Sequence, residues 1–275
     1  LDLHIQAFRL AEQLSCPVMV CMDGFILTHA VERIEIPDQA TVDAYLPPFE
    51  PVQVLDPAAP HSIGAMVGPE AFTEVRYLEH QKQLRALELI PNLAAEFKSL
   101  FGRDSGGLLK PYRNEDAGLV VIALGSVNGT IKDVVDEMRD DGHAIGSLGV
   151  TSFRPWPLAA LRQALEGAKR IVVLEKSLVV GMGGVVSANV RMALRGLPIP
   201  VHTVIAGLGG RPIPKRSLHA MLRKAEAGAL EDLHFLDLKE EIVGQELERI
   251  RTTRRSGPTA EAVLRHMGGV KAGAV

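Results

Sequence analysis

A chain of 275 residues, 47% apolar and 23% charged with a net charge of -3, can bury the core of one or two ordinary domains. It carries no overall basic excess of the kind that recruits nucleic acid or anionic membrane. No apolar run approaches the roughly 20 residues of a spanning helix, and the opening Leu1-Asp2-Leu3-His4 lacks the basic-then-apolar layout of a secretory signal.

The opening reads as mid-helix, with Leu3, Phe8, Leu10 and Leu14 on a partial apolar stripe, so the sequence is expected to begin inside a longer polypeptide. Two cysteines, Cys16 and Cys21, are too few to hold a cluster or a structural zinc and are not spaced as a redox pair. Free thiols in a reducing, cytoplasmic compartment are expected. Residues 17–22 (PVMVCM) form a β-prone run that ends at Asp23-Gly24, one αβ unit of an open sheet. Ligand groups of α/β proteins gather beyond strand C-termini, which singles out Asp23, Thr28 and His29 as a polar set. Capping of the turn by Asp23 and a surface hydrogen bond at His29 are the structural alternative.

Seven prolines, Pro37, Pro47, Pro48, Pro51, Pro57, Pro60 and Pro69, make residues 36–69 a long irregular connection without regular elements of any length. Residues 72–101 read as a helix with Pro91 as a break or kink, followed by a loop over 102–107. Residues 119–124 (LVVIAL) are a continuous apolar strand, as in sheets covered on both faces. The turn GSVNGT (125–130) leads into a helix over 131–140 with Ile131, Val134, Val135 and Met138 on one stripe and Thr130 with Asp133 as a capping box. Further strands are expected at 144–150, 170–175 and 201–205. They alternate with helices built on Leu158, Leu161 and Leu165, on Val186, Val190, Ala193 and Leu194, and on Leu218, Met221, Leu222 and Ala225. Such alternation predicts a parallel sheet. A last helix carries Leu238, Ile242, Leu247 and Ile250, and residues 257–275 read as an exposed tail or partner-binding arm. Arg249, Arg251, Arg254 and Arg255 make a local basic patch.

The turns are the chemical candidates. Ser126, Asn128, Gly129 and Thr130 expose backbone donors at a helix start and suit an anion, although neither the phosphate-loop nor the GxGxxG pattern is present and a plain tight turn is the simpler alternative. Gly181-Met182-Gly183-Gly184 suits close backbone packing or an anion. Arg154, between Phe153 and Pro155, either clamps an anionic ligand or pairs with Glu175. The nine histidines form no HxxxH or HExxH pair, so no metal site is assigned, and no nucleophile with its base is visible.

The ordered segments GSVNGT (125–130), FRPWP (153–157), VVLEKS (172–177), GMGG (181–184) and GLGGRPI (207–213), with VMVCMDGFILTH (18–29) upstream, resemble the α-chain of the 2-oxoacid:ferredoxin oxidoreductase family. The resemblance implies an α/β chain in which the end of a pyrimidine-binding-like thiamine domain (1–50) and a linker with a helical connection (51–115) come first. An open, mainly parallel transketolase-C-terminal-like domain (116–230) and a helical extension with a tail (231–275) follow. It implies oxidative decarboxylation of a 2-oxoacid to an acyl-CoA, with thiamine diphosphate and Mg2+ shared with a partner domain or subunit and coenzyme A as co-substrate. Electrons would leave through 4Fe-4S clusters in partner chains to a ferredoxin-like acceptor, within a cytoplasmic hetero-oligomer that binds no nucleic acid. Asp23, Thr28 and His29 would border the thiamine or substrate cavity. Ser126, Asn128, Gly129, Thr130 and Arg154 would meet coenzyme A, another anion or an interface. The family's activating glutamate precedes Leu1, so no catalytic residue is assigned and the chain alone should be inactive. Another transketolase-like thiamine enzyme and a non-catalytic organising subunit remain the alternatives.

Overall fold

The computed structural model describes residues 1–24, 26–253 and 257–268. Phe25, Arg254, Arg255 and the tail beyond 268 lie outside the described residues. The chain divides into a large unit, Leu1–His234, and a small one from Phe235 onward.

The large unit opens with α1 (Asp2–Leu14), α2 (Ile26–His29), α3 (Gln39–Tyr45) and the long α4 (Phe72–Phe101). Helix α1 starts on an acidic first turn and stops where Ser15 turns left-handed. Helix α4 continues through Pro91 and ends at Gly102, whose positive φ of 66° suits a glycine. Tyr45 and Phe97, both fully buried, pack with Ile5 where α1 and α3 meet the C-terminal half of α4. The Tyr45 hydroxyl donates to the Leu93 carbonyl oxygen at 3.0 Å, and the Arg9 guanidinium lies 4.5 Å from the centre of the Tyr45 ring.

Two expectations fail here. Residues 17–22 form no strand, and Met19 and Met22 are exposed, because a β-prone run without a neighbouring strand has no ladder for its backbone donors and acceptors. Conversely, the proline-rich connection does hold a regular element. Helix α3 fits between Pro37 and Pro47 because Asp38 caps it, accepting from the Thr41 amide at 2.9 Å and the Thr41 hydroxyl at 2.7 Å.

The sheet follows: β1 (Leu109–Tyr112), β2 (Leu119–Ala123), α5 (Val127–Asp140), β3 (Ile145–Val150), α6 (Leu158–Leu165), β4 (Arg170–Glu175), α7 (Val185–Ala193), β5 (Val201–Ile205), α8 (Lys215–Glu226) and β6 (Leu233–Phe235). The strand order is β1-β3-β2-β4-β5-β6. Strands β3, β2, β4 and β5 run parallel, and β1 closes one edge antiparallel to β3 with Leu109 opposite Val150.

Every residue of β2 is buried, which needs apolar cover on both faces. On one face Val120 and Ile122 of β2 join Ile171 and Val173 of β4 under Leu161, Leu165, Val190 and Ala193 of α6 and α7. Helices α5 and α8 pack on each other and bury Ile131, Val134, Val135, Met138, Leu218 and Leu222.

Helix α5 begins at Val127, one turn earlier than expected, so Thr130 is not its cap and the Thr130–Asp133 capping box is not formed. Buried Val127 extends the stripe of Ile131, Val134, Val135 and Met138 back by one turn, and the cap position, Ser126, makes no side-chain cap of its own.

In the small unit α9 (Glu240–Thr252) and α10 (Thr259–His266) are held by Glu246, which is 4% exposed and pairs with Arg249 at 2.8 Å and His266 at 3.5 Å. Arg251 pairs with Glu248, so two arginines of the expected basic patch are engaged locally. Among the described residues no helix is long and apolar enough to cross a membrane.

Candidate functional site

Strand β2 is followed in the sheet by β3 on one side and β4 on the other, so the order reverses at the β2–β4 boundary. Open α/β sheets receive ligands there, beyond the strands' C-terminal ends. In this chain the boundary is flanked by the β2–α5 turn, Gly125 and Ser126, and by Glu175 and Lys176 at the end of β4.

Asp23 fills that position. Its Oδ2 accepts from the Ser126 amide at 2.6 Å, its Oδ1 lies 3.2 Å from the Lys176 ammonium, and Lys176 also reaches the Ser126 hydroxyl at 3.5 Å. An anion at a helix N-terminus satisfies free amides and the positive end of the macrodipole. The carboxylate does for α5 what a capping side chain would do. Burial pushes the Asp23 carboxyl up, but hydrogen bonds from Ser126 and Lys176 and the Lys176 charge outweigh it and hold the group below the usual carboxylate range. Gly125 makes the approach possible, since its φ is +74° and a Cβ there would stand 2.8 Å from Asp23 Oδ2.

The next helix along the edge is treated the same way. Glu175, 3% exposed, accepts from the amides of Val186 and Ser187, both at 2.8 Å, and so caps α7. Gly184 leaves the room, because a Cβ there would meet Glu175 Oε1 at 1.9 Å. This overturns the alternative in which Arg154 pairs with Glu175. The buried carboxylate has two amide partners, whereas Arg154 is exposed, donates to the Phe153 carbonyl at 2.6 Å and lies over the Phe153 ring at 4.2 Å.

The remaining candidates are dispersed. Thr28 and His29 are exposed and bonded to each other, Oγ1 to Nδ1 at 3.1 Å. The Asn128 amide donates to the Gly125 carbonyl oxygen at 2.9 Å, the Gly129 amide donates to the Ser126 carbonyl at 3.0 Å, and Thr130 lies half-buried in α5. The Gly181–Gly184 loop is pinned by mutual amide-to-carbonyl bonds between Val179 and Gly183, with Gly183 against Leu233 and the side chains of Val180 and Met182 exposed. The structure therefore joins Asp23 to Ser126 and leaves Thr28, His29 and Arg154 outside that cluster. Two surface depressions lie elsewhere, one beside Asn114, Gln163 and Lys169, and one beside Arg191 and Asp232 that is lined by Met182, Gly183 and Gly184 of the candidate glycine turn. Lys176 was not anticipated as a partner of Asp23, although a lysine directly after an apolar strand and before a glycine loop is a visible signal. Among the described residues no group of three or more His, Cys, Asp or Glu side chains could hold a metal ion.

The sheet is open and mostly parallel, with helices on both faces and its switch point closed from within. Residues 117–218 match the family description "Pyruvate:ferredoxin oxidoreductase core domain II", and residues 1–94 match "Pyruvate flavodoxin/ferredoxin oxidoreductase, thiamine diP-bdg". The chain belongs to the 2-oxoacid:ferredoxin oxidoreductase family, as a homologue of its α-chain.

Among curated relatives, pyruvate synthase subunit PorA of Methanosarcina barkeri is 39% identical over 247 residues, covering 86% of this chain and 61% of that protein. Ketoisovalerate oxidoreductase subunit VorA of Pyrococcus horikoshii is 32% identical, covering 86% of this chain and 62% of that protein. The chain thus spans less than two thirds of the length of these relatives. A solved 2-oxoglutarate:ferredoxin oxidoreductase from Magnetococcus marinus is similar at a TM-score of 0.43 and 15% identity, over 64% of this chain and 29% of that one.

Proposed function

We propose that this chain acts as part of the α subunit of a thiamine diphosphate-dependent 2-oxoacid:acceptor oxidoreductase that works in the cytoplasm, and that its 2-oxoacid is pyruvate. The observation that carries the reading is the pair of family matches laid end to end along the chain, with a 39% identical relative named as a pyruvate synthase subunit. Thiamine diphosphate supplies the electron sink for decarboxylation, coenzyme A takes the acyl group, and 4Fe-4S clusters in partner subunits carry electrons to a ferredoxin-like acceptor.

The described residues fit a positioning role better than a cofactor cradle. Both helix N-termini beside the switch point are occupied by the chain's own carboxylates, Asp23 and Glu175. A diphosphate or the phosphates of coenzyme A would have to displace them. The diphosphate and its Mg2+ are therefore assigned to a partner subunit, and no step is routed through this chain's turns. The domain division also belongs to this proposal: residues 1–50 contribute the end of the thiamine-facing domain, 51–115 connect, 116–230 form the transketolase-C-terminal-like domain and 231–275 extend it. Thr28 and His29, exposed and bonded to each other, border the substrate cavity in this reading. Arg154, exposed beyond β3, offers a cation to coenzyme A or to a subunit contact in this reading.

The test is purification of the native multichain assembly and measurement of viologen reduction with coenzyme A and either pyruvate or ketoisovalerate. Pyruvate-dependent reduction that is lost when thiamine diphosphate is removed is the expected result. Preference for the branched acid would reassign the substrate, and full activity without thiamine diphosphate or clusters would refute the assignment.

A further inference from the structure

Three features converge on one junction between the upstream segment and the C-terminal edge of the sheet. Both Asp23 oxygens are used, one by the Ser126 amide and one by Lys176. Gly125 has the only kind of side chain that lets the carboxylate come so near. Lys176, the first residue after β4, is largely shielded at 26% side-chain exposure and reaches across to both Asp23 and Ser126. A helix N-terminus and an ammonium make a slot for one anion, and a tethered carboxylate competes for it at an effective concentration of roughly millimolar or more.

We infer that Asp23 and Lys176 are positioning residues. They fasten the segment leading to Thr28 and His29 against the β2–α5 turn, so that the switch point of the sheet registers one part of the chain on another and binds no ligand of its own. The structural role stands on the geometry alone; its kinetic consequence rests on the proposed function.

In the intact multichain enzyme, Asp23→Asn, Asp23→Glu and Lys176→Met are compared with the parent by hydrogen-exchange mass spectrometry and by steady-state kinetics with pyruvate and coenzyme A. Asparagine keeps the shape of aspartate but loses the charge that Lys176 and the helix end require. Peptides covering 18–24 and 124–130 should exchange about tenfold faster in Asp23→Asn, the expected cost of one charge-assisted hydrogen bond. Lys176→Met should fall between it and the parent, and Asp23→Glu should recover most of the protection. The KM for pyruvate should rise about tenfold as the segment loses its register, with the KM for coenzyme A unchanged.

Parent-like exchange of both peptides in Asp23→Asn overturns the inference. Faster exchange spread through the whole sheet also overturns it, because that marks general destabilisation, and so does faster local exchange with an unchanged KM for pyruvate. A parent enzyme that does not oxidise pyruvate refutes the proposed function instead, and the exchange experiment then decides the junction by itself.

Discussion

Replacement of Glu175 by glutamine should destabilise the sheet domain far more than its isosteric size suggests. The carboxylate is 3% exposed and takes one amide on each oxygen, Val186 on Oε2 and Ser187 on Oε1. Glutamine can accept from one of them, but its NH2 then faces the other, leaving a buried donor unsatisfied at a cost of about 1–3 kcal/mol. Loss of the negative charge at the start of α7 removes up to about 2 kcal/mol more in a buried geometry. Desolvation of the carboxylate, which glutamine avoids, offsets part of this. A net loss of about 2–4 kcal/mol follows. The chain has one tryptophan, Trp156, beside α6 and against the core of the same face, so its fluorescence reports on this domain. With a urea dependence of about 1–3 kcal/mol per molar, the unfolding midpoint should fall by about 1 M or more at unchanged slope. A Glu175→Gln protein with the parent's midpoint would refute the idea that this carboxylate anchors α7.

Related changes test the rest. Gly184 has an ordinary extended conformation, φ −93° and ψ 146°, so Gly184→Ala isolates the steric clash with Glu175 and should cost about 1–3 kcal/mol in the same urea experiment. At the other turn, Gly125→Ala adds left-handed strain to a collision with Asp23, and hydrogen exchange should reveal release of both the 124–130 and 18–24 peptides. Burial pushes the Tyr45 phenol up to about 12, so ultraviolet titration should find a tyrosine still protonated at about pH 11. A folded value raised above the ordinary 10.0 gives stability that is complete below that pH and lost as the pH rises towards 12. Hydrogen bonds from His219 and Lys215 hold the Glu137 carboxyl below its usual 4.5. Its contribution is present above that pH and lost on acidification, so the difference in Tm between the parent and Glu137→Gln should shrink as the pH falls below 4.5.

Much of the sheet was legible because its strands are apolar on both faces. Residues 170–175 and 201–205 read as strands with the limits that β4 and β5 have. Residues 17–22 are just as β-prone, yet propensity cannot supply a neighbouring strand, and none is beside them. Strand β1 escaped notice for the opposite reason: Leu-Lys-Pro-Tyr is a poor strand sequence and survives only as an edge against β3.

The site was half legible. Asp23 and Ser126 each stood out as turn residues, but their contact joins positions 103 residues apart, and local spacing carries no trace of it. The same contact explains the mistaken helix start, since a carboxylate from far upstream supplies the cap that Thr130 was expected to provide. Glu175 was noticed only as a partner for Arg154, because one charge on a strand end says nothing of the two amides that face it.

Where a crevice of this kind depends on a soluble phosphate, its order rises and falls with metabolite supply. Here the counter-charges of α5 and α7 are covalently part of the polypeptide, so that rim of the sheet needs no soluble anion to satisfy its helix ends.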